Sequence, residues 1–276
     1  GSDSGMSTPM IVLLSVGVRP NSQLAKDAGL ALNPRGGILV DEYMQTSDPA
    51  IYAVGDVIEV KNYVDGQNTM IPLAGPANRQ GRAVVDNLLH EKTTPYEGTM
   101  GTSIAQVFDL SAASTGLNEK MLARAGKTRW VDYGIALLHP MAHAAYYPAA
   151  TPMTLKLVFD MQNRKVLGAQ IVGYEGVDKR IDTIATVMHF HGTVDHLAKL
   201  ELAYAPPYAS AKEPVHFAGF MAQNILEGYS HPMTSEEFLA DPDAVRVLDI
   251  REDIERTSEG LPGATDIPLT RLRENN

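Results

Sequence analysis

The chain has 276 residues, a formal net charge of −10, 44% hydrophobic and 20% charged residues, and no cysteine. Its length allows one large or two ordinary domains with a real core, and its acidic balance without a basic stripe gives no sign of a nucleic-acid partner. The lack of cysteine rules out disulfides, thiolate metal sites and a thiol nucleophile within the chain, and with no run of 18 apolar residues there is no expected membrane span and a cytoplasmic location is the default.

Gly1–Thr8 is a polar, flexible lead with the look of a junction. Met10–Val18 is too short to cross a bilayer and lacks a signal peptide's basic start, so it reads as a buried parallel strand. Ser22–Gly29 reads as a short helix stopped by Gly29, and Arg35–Asp41 as a turn and a strand. Thr46–Asp56 combines a polar lead ending at Pro49, a buried strand over Ile51–Val54, a sharp turn at Gly55 and a carboxylate, Asp56, at the strand's carboxyl end. Open α/β sheets place ligands at that end. A carboxylate there can accept hydrogen bonds from a polyol or a ribose, although aspartate also caps turns. Leu73–Gly81 (LAGPANRQG) reads as a loop running into a helix, with Pro76 near its first turn. The free N–H groups of such a helix start can hold an anion or an electron-rich ring edge. Asn78–His90 has helical spacing, with Val84, Val85, Leu88 and Leu89 on one face.

Pro95 and Gly98 mark a boundary. Beyond it, strands are expected over Ser103–Phe108, Arg129–Leu138, Thr154–Phe159 and Lys165–Val172, with Asp160–Arg164 as a hairpin turn. Helices are expected over 177–191, 193–199 and 214–228, and strands followed by helices point to an α+β module. Two tyrosine-bearing stretches stand out, His143–Pro148 (HAAYYP) and Ala203–Pro214, the latter held extended by Pro206 and Pro207. Phenols on stiff loops can donate a hydrogen bond to a thiolate, and tyrosines also pack interfaces. His189 and His191 would diverge on a helix, and Pro140 separates His139 from His143, so neither pair is expected to bind a metal or act as a general base. Lys212 and Arg180 read as surface charges. In the last segment Thr234 or Ser235 caps a helix with Glu237 placed for a capping box, and Val245–Glu252 reads as a strand. Residues 234–276 carry five arginines against eleven acidic residues, which accounts for most of the net charge.

Thr46–Asp56 taken together with Leu73–Gly81 resembles the second flavin-binding half-motif of the FAD-dependent pyridine nucleotide–disulfide oxidoreductases. The resemblance implies that Gly55 and Asp56 meet the ribityl chain of FAD, and that Leu73, Ala74, Gly75 and Pro76 lie near the pyrimidine edge of its ring. Ile11–Asn21 resembles the strand that leaves the NAD domain of that family, and the α+β module resembles its C-terminal dimerisation domain. Tyr-Ala-Pro-Pro-Tyr at 204–208 stands where many relatives carry a His–Glu pair. It is similar to the coenzyme A disulfide reductase branch, near the NADH oxidases and persulfide reductases. There, two tyrosines of the partner subunit reach the sulfur site, which implies Tyr146 or Tyr147 with Tyr204 or Tyr208 here. Asp249–Glu252 (DIRE) and the turn at 263–268 resemble the opening of a rhodanese domain, ahead of its catalytic cysteine loop.

The expected fold class is therefore α/β plus α+β. It comprises a partial Rossmann-like FAD-binding segment over 7–98, a dimerisation domain over 99–229 and the start of a truncated α/β rhodanese-like domain over 234–276. The implied function is transfer of electrons from NAD(P)H through FAD to coenzyme A disulfide, a persulfide or a polysulfide, in a homodimer with coenzyme A as a possible ligand. An NADH oxidase and a non-catalytic dimerisation piece are the alternatives. The family's Gly-x-Gly-x-x-Gly for the FAD pyrophosphate is absent, as is the NAD domain's own glycine fingerprint, so the chain reads as part of a longer enzyme and as inactive alone.

Overall fold

A computed structural model describes residues 17–90, 92–256 and 263–273. Most of the strand expected over 10–18 lies outside these residues. The chain divides into two compact units, residues 1–227 and 228–276. No helix among the described residues is long and apolar enough to cross a membrane.

In the first unit, helix α1 (Gln23–Asp27) ends where the sequence places its stop, with Gly29 at φ +76°. The segments expected as strands over Arg35–Asp41 and Ile51–Val54 shrink to isolated bridges, Ile38 with Leu32 and Ile58, and Tyr52 with Gln45. Ile51 is 36% exposed rather than buried. Among the described residues no neighbouring strand runs beside it, so its apolar side chains have no ladder to join. A two-stranded antiparallel ribbon, β1 (Val60–Lys61) with β2 (Asn68–Thr69), leads into helix α2 (Ala74–Leu89).

The apolar face of helix α2 is not its buried face. Its buried residues include Gln80, Ala83 and Asn87, while Val85, Leu88 and Leu89 are 51%, 58% and 70% exposed. The buried amides have work to do. Gln80 Oε1 accepts the Gly55 N–H at 2.7 Å, and Asn87 bonds both the N–H and the C=O of Thr94 at 2.8 and 2.9 Å. An unmet backbone group is costlier to bury than a satisfied amide, so these contacts select the polar face. A small core of Leu30, Ile38, Met44, Ile58 and Ala83 closes beneath it.

The larger core belongs to a five-stranded antiparallel sheet. It is built from β3 (Ser103–Val107), β4 (Leu110–Gly116), β5 (Tyr133–Leu138), β6 (Met153–Asp160) and β7 (Val166–Gly173), in the order β3-β4-β7-β6-β5. The strand β4 and the short helix α3 (Glu119–Arg124) were not expected from sequence. The expected strand over 129–138 starts only at Tyr133, because Trp130 takes φ +64° and turns the chain. Alternation along β6 sorts the two faces. Leu155, Leu157 and Phe159 join the main core, whereas Val158 packs on the other face with Leu117, Leu122 and Ile135. Each fully buried Leu or Phe contributes about 1.5–3 kcal/mol.

Helices α4 (Val177–His189), α5 (Val194–Lys199) and α6 (Pro214–Leu226) follow. α4 lies against β4 and β7, and α6 against β5 and β6. The β6–β7 turn is fastened to these helices, since Arg164 grips both oxygens of Asp195 at 2.7 and 2.9 Å and reaches Glu227 at 2.9 Å.

The second unit holds helix α7 (Ser235–Ala240) and the parallel pair β8 (Leu248–Asp249) and β9 (Thr265–Asp266). Thr234 is the cap, and the capping box with Glu237 is formed. The strand expected over Val245–Glu252 contracts to two residues because Asp249 accepts the Arg251 N–H at 3.0 Å and turns the chain out of the ladder. The same arginine's guanidinium holds the Asp249 carboxyl down to about 2. A carboxyl depressed on folding stabilises the fold fully above its unfolded value, and that contribution is lost as pH falls through the folded value. The second unit is therefore expected to weaken between about pH 4 and pH 2, followed by the Asp249 carboxyl resonance, and Arg251→Ala should move that titration back towards 3.8.

Candidate functional site

The turn at Gly55 takes φ +85°, a conformation open to glycine at little cost. It aims Asp56, which is exposed, at an open cleft of about 960 Å³ that is also lined by Arg19, Asn21, Arg35, Met70 and Pro72. The bond from the Gly55 N–H to Gln80 ties this turn to α2, whose Ala77 Cβ lies 3.8 Å from where a Gly55 Cβ would stand.

The start of α2 is left open. Its first helical bond runs from the Ala77 N–H to Leu73 O, and Leu73, the N-cap residue, offers no side-chain acceptor. The Ala74 and Gly75 N–H groups thus precede the helical ladder, and Pro76 has no N–H to satisfy. Space around Gly75 is empty, with nothing within 4 Å of a notional Cβ. A second cleft, of about 500 Å³, opens here between Gly75, Pro76, Arg79, Met100, Asp182 and His189. A helix start of this kind carries about half a positive charge towards its cleft.

The four tyrosines line neither cleft. Tyr146 and Tyr204, 58 residues apart, place their hydroxyls 3.1 Å from each other. The hydrogen bond to Tyr146 raises the Tyr204 phenol above the ordinary tyrosine range. Tyr147 instead turns its ring edge-on to the buried His143, with centroids 5.7 Å apart. Tyr208 is 72% exposed and is held through its backbone, its N–H donating to Ala205 O and its oxygen accepting from Lys179, both at 2.9 Å.

The reading of Arg180 as a surface charge is wrong, because it is 1% exposed. It donates to Ala142 O at 2.6 Å and Gly176 O at 3.0 Å, and pairs with Glu213 at 2.6 Å. The signal was present in helical spacing: position 180 falls in the stripe with Val177, Ile181 and Ile184, all buried. Lys212 is exposed, as read. The histidines have local duties. His196 and His216 complete capping boxes, while His189 and His191 each stack with the Tyr63 ring, at centroid distances of 5.6 and 5.4 Å.

Residues 8–81 match the pyridine nucleotide-disulphide oxidoreductase family, and residues 102–215 match the dimerisation domain of that family. The coenzyme A disulfide reductase of Staphylococcus epidermidis is 35% identical over 213 residues, covering 77% of this chain and 47% of its own length. Among solved structures, reduced Bacillus anthracis CoADR-RHD is 47% identical with a TM-score of 0.89, over 95% of this chain and 46% of that one. A NAD-dependent persulfide reductase from A. fulgidus is 39% identical with a TM-score of 0.84, over 94% and 46%. The water-forming NADH oxidase of Lactobacillus brevis is 28% identical with a TM-score of 0.71, over 77% and 46%. The chain thus spans about half the length of the relatives it matches.

Proposed function

From the premise that this chain carries a pyridine nucleotide-disulphide oxidoreductase segment over 8–81 and that family's dimerisation domain over 102–215, we propose that it serves an FAD-dependent NAD(P)H oxidoreductase acting on a sulfur–sulfur bond. The substrate class is coenzyme A disulfide, a persulfide or a polysulfide. The observation that carries the sulfur chemistry is the phenol pair, Tyr146 with Tyr204 at 3.1 Å. Two hydroxyls that share one hydrogen bond spend one hydrogen between them and keep the other for an outside acceptor. A thiolate leaving group is such an acceptor, and a donor already in place stabilises it without reorganisation.

The residues present fit half of a flavin site. Asp56 would accept from ribityl hydroxyls, the Ala74 and Gly75 N–H groups would face the pyrimidine edge, and the empty space over Gly75 would admit the ring. Leu73 and Pro76 would shape that entrance, and Gly55 would set the angle of Asp56. Bound FAD would supply the two-electron relay between nicotinamide and sulfur. Because the tyrosines line neither cleft in one chain, the reading calls for a homodimer in which the phenols of one copy serve the centre of the other. The reacting thiol must come from outside these 276 residues, which hold no cysteine, so this polypeptide alone is inactive.

The domain boundaries proposed are 7–98, 99–229 and 234–276. A rhodanese-like start for the last is supported by Asp249, which opens the Asp249–Glu252 stretch at the end of a parallel strand, and by structural matches whose 94–95% coverage takes in much of residues 228–276. A sulfur acceptor is favoured over oxygen by the lower similarity to the NADH oxidase.

Titrating FAD into the chain and following flavin fluorescence tests the cofactor half of the proposal. Loss of a charged hydrogen bond in Asp56→Ala should weaken binding about tenfold or more. Equal binding by both proteins would remove Asp56 from the site. Consumption of NADH with coenzyme A disulfide by the chain alone would overturn its proposed inactivity.

A further inference from the structure

We infer that Arg180 and Glu213 are positioning residues, a buried ion pair at the base of the two tyrosine loops that sets the separation of the Tyr146 and Tyr204 hydroxyls. The inference rests on the proposed role of that phenol pair and adds what holds it. Residues 139–152 and 200–213 carry the two tyrosines on irregular backbone, the first closed at its neck by a bridge between Met141 and Pro152. Local turn bonds shape each loop, and contacts from below relate one loop to the other.

Arg180 reaches both loops from α4. One terminal nitrogen meets Ala142 O at 2.6 Å, four residues before Tyr146, and Glu213 Oε1 at 2.6 Å, at the end of the loop that bears Tyr204. The other holds Gly176 O at 3.0 Å, which fixes the guanidinium to its own helix start. Gly176 is tied to this arrangement. It takes φ +67°, and a Cβ there would collide with the Arg180 guanidinium. Glu213 is equally constrained, being 3% exposed and the N-cap of α6. Lys179 adds a second strut, to Glu213 at 3.4 Å and to Tyr208 O at 2.9 Å. Above the pair, the Ala144 N–H donates to Ala209 O at 3.1 Å and joins the loops directly.

Stability alone does not account for this choice. A buried ion pair loses about as much in desolvation as it gains in attraction, and well-packed apolar residues of similar volume commonly serve as well. What apolar residues cannot supply is a planar fork that hydrogen-bonds two backbone oxygens, those of Ala142 and Gly176, while its charge pairs with Glu213. The raised titration of Tyr204 reports the result, since it follows from contact with Tyr146.

The test uses the full chain labelled with 13C at the tyrosine Cζ, titrated by NMR. Tyr146→Phe defines the Tyr204 titration without its partner, which should fall to lower pH. Arg180→Lys retains the charge and loses the fork, while Arg180→Met with Glu213→Met removes both charges together. Both should fold, with a far-ultraviolet spectrum like that of the parent, and both should lower the Tyr204 titration by at least half the Tyr146→Phe shift. A folded variant with the parental Tyr204 titration would overturn the inference. Loss of the fold in both would overturn it too, by assigning the pair to stability. The role of the phenols is decided separately, by turnover of Tyr204→Phe in the oxidoreductase dimer supplied with its thiol-bearing part, and neither result prejudges the other.

Discussion

Arg180→Met alone is expected to cost about 3–5 kcal/mol, more than replacing Arg180 and Glu213 together. The single change leaves the Glu213 carboxylate, 4% exposed, with Lys179 as its remaining cation, which is 3.4 Å away and 44% exposed and so pairs more weakly than the buried guanidinium. The backbone acceptors at Ala142 and Gly176 also lose their donor, each worth about 1 kcal/mol. The double replacement shares the loss of those donors and adds the loss of the α6 cap, about 1 kcal/mol. It removes the larger penalty, however, because no uncompensated charge stays buried. Urea midpoints should therefore rank the parent first, the double variant next and Arg180→Met last. A single variant at least as stable as the double would mean that the carboxylate finds water or another cation, and that the pair is not buried as described.

The sharp turn at Gly55, most of the strands of the five-stranded sheet and the helices that cover them were legible because each rests on a strong local signal. Gly55 and Asp56 end a run of apolar residues, β6 alternates with period two, and α4 and α6 repeat their apolar residues every three or four positions. What escaped notice had weak or misleading signals. Strand β4 reads Leu-Ser-Ala-Ala-Ser-Thr-Gly, small and polar, and becomes a strand because β3 and β7 pair with it on both sides. The buried side of α2 is not the apolar face that periodicity shows, since periodicity sees Val85, Leu88 and Leu89 but not the Gly55 N–H or the Thr94 backbone that Gln80 and Asn87 must meet. Those three apolar side chains are left uncovered among the described residues. Sequence could not choose between Tyr146 and Tyr147, or between Tyr204 and Tyr208, because the choice depends on how two irregular loops are tied together. Arg180, Glu213 and the Ala144–Ala209 bond make those ties, and they join residues between 33 and 65 positions apart along the chain.

Gly168→Ala is expected to cost about 3 kcal/mol, through overpacking and lost ladder bonds rather than through backbone conformation. Gly168 faces Gly116 across the β4–β7 pair. A Cβ on Gly168 would press on Leu117 O and would lie 2.7 Å from Leu117 N and 2.8 Å from Thr115 O, all backbone atoms that cannot swing aside. The strands would have to part, and with them the bond from the Leu117 N–H to Leu167 O at 2.8 Å. Gly116 combines two penalties, since it takes φ +68° and its Cβ would strike Leu167 O. Gly126 has only one, a φ of +75° with nothing within 4 Å. Left-handed backbone costs an alanine about 1–2 kcal/mol. Denaturation by urea should thus rank the losses as Gly116→Ala largest, Gly168→Ala next and Gly126→Ala smallest. If Gly126→Ala cost as much as Gly168→Ala, the close approach of the two backbones would carry no energetic weight. The consequence reaches the tyrosines, because β7 leads through Gly173 and Gly176 into α4, and a displaced β7 moves the helix that presents Arg180. Gly168→Ala should therefore also lower the Tyr204 titration in folded protein, while Gly126→Ala, outside that path, should leave it unchanged.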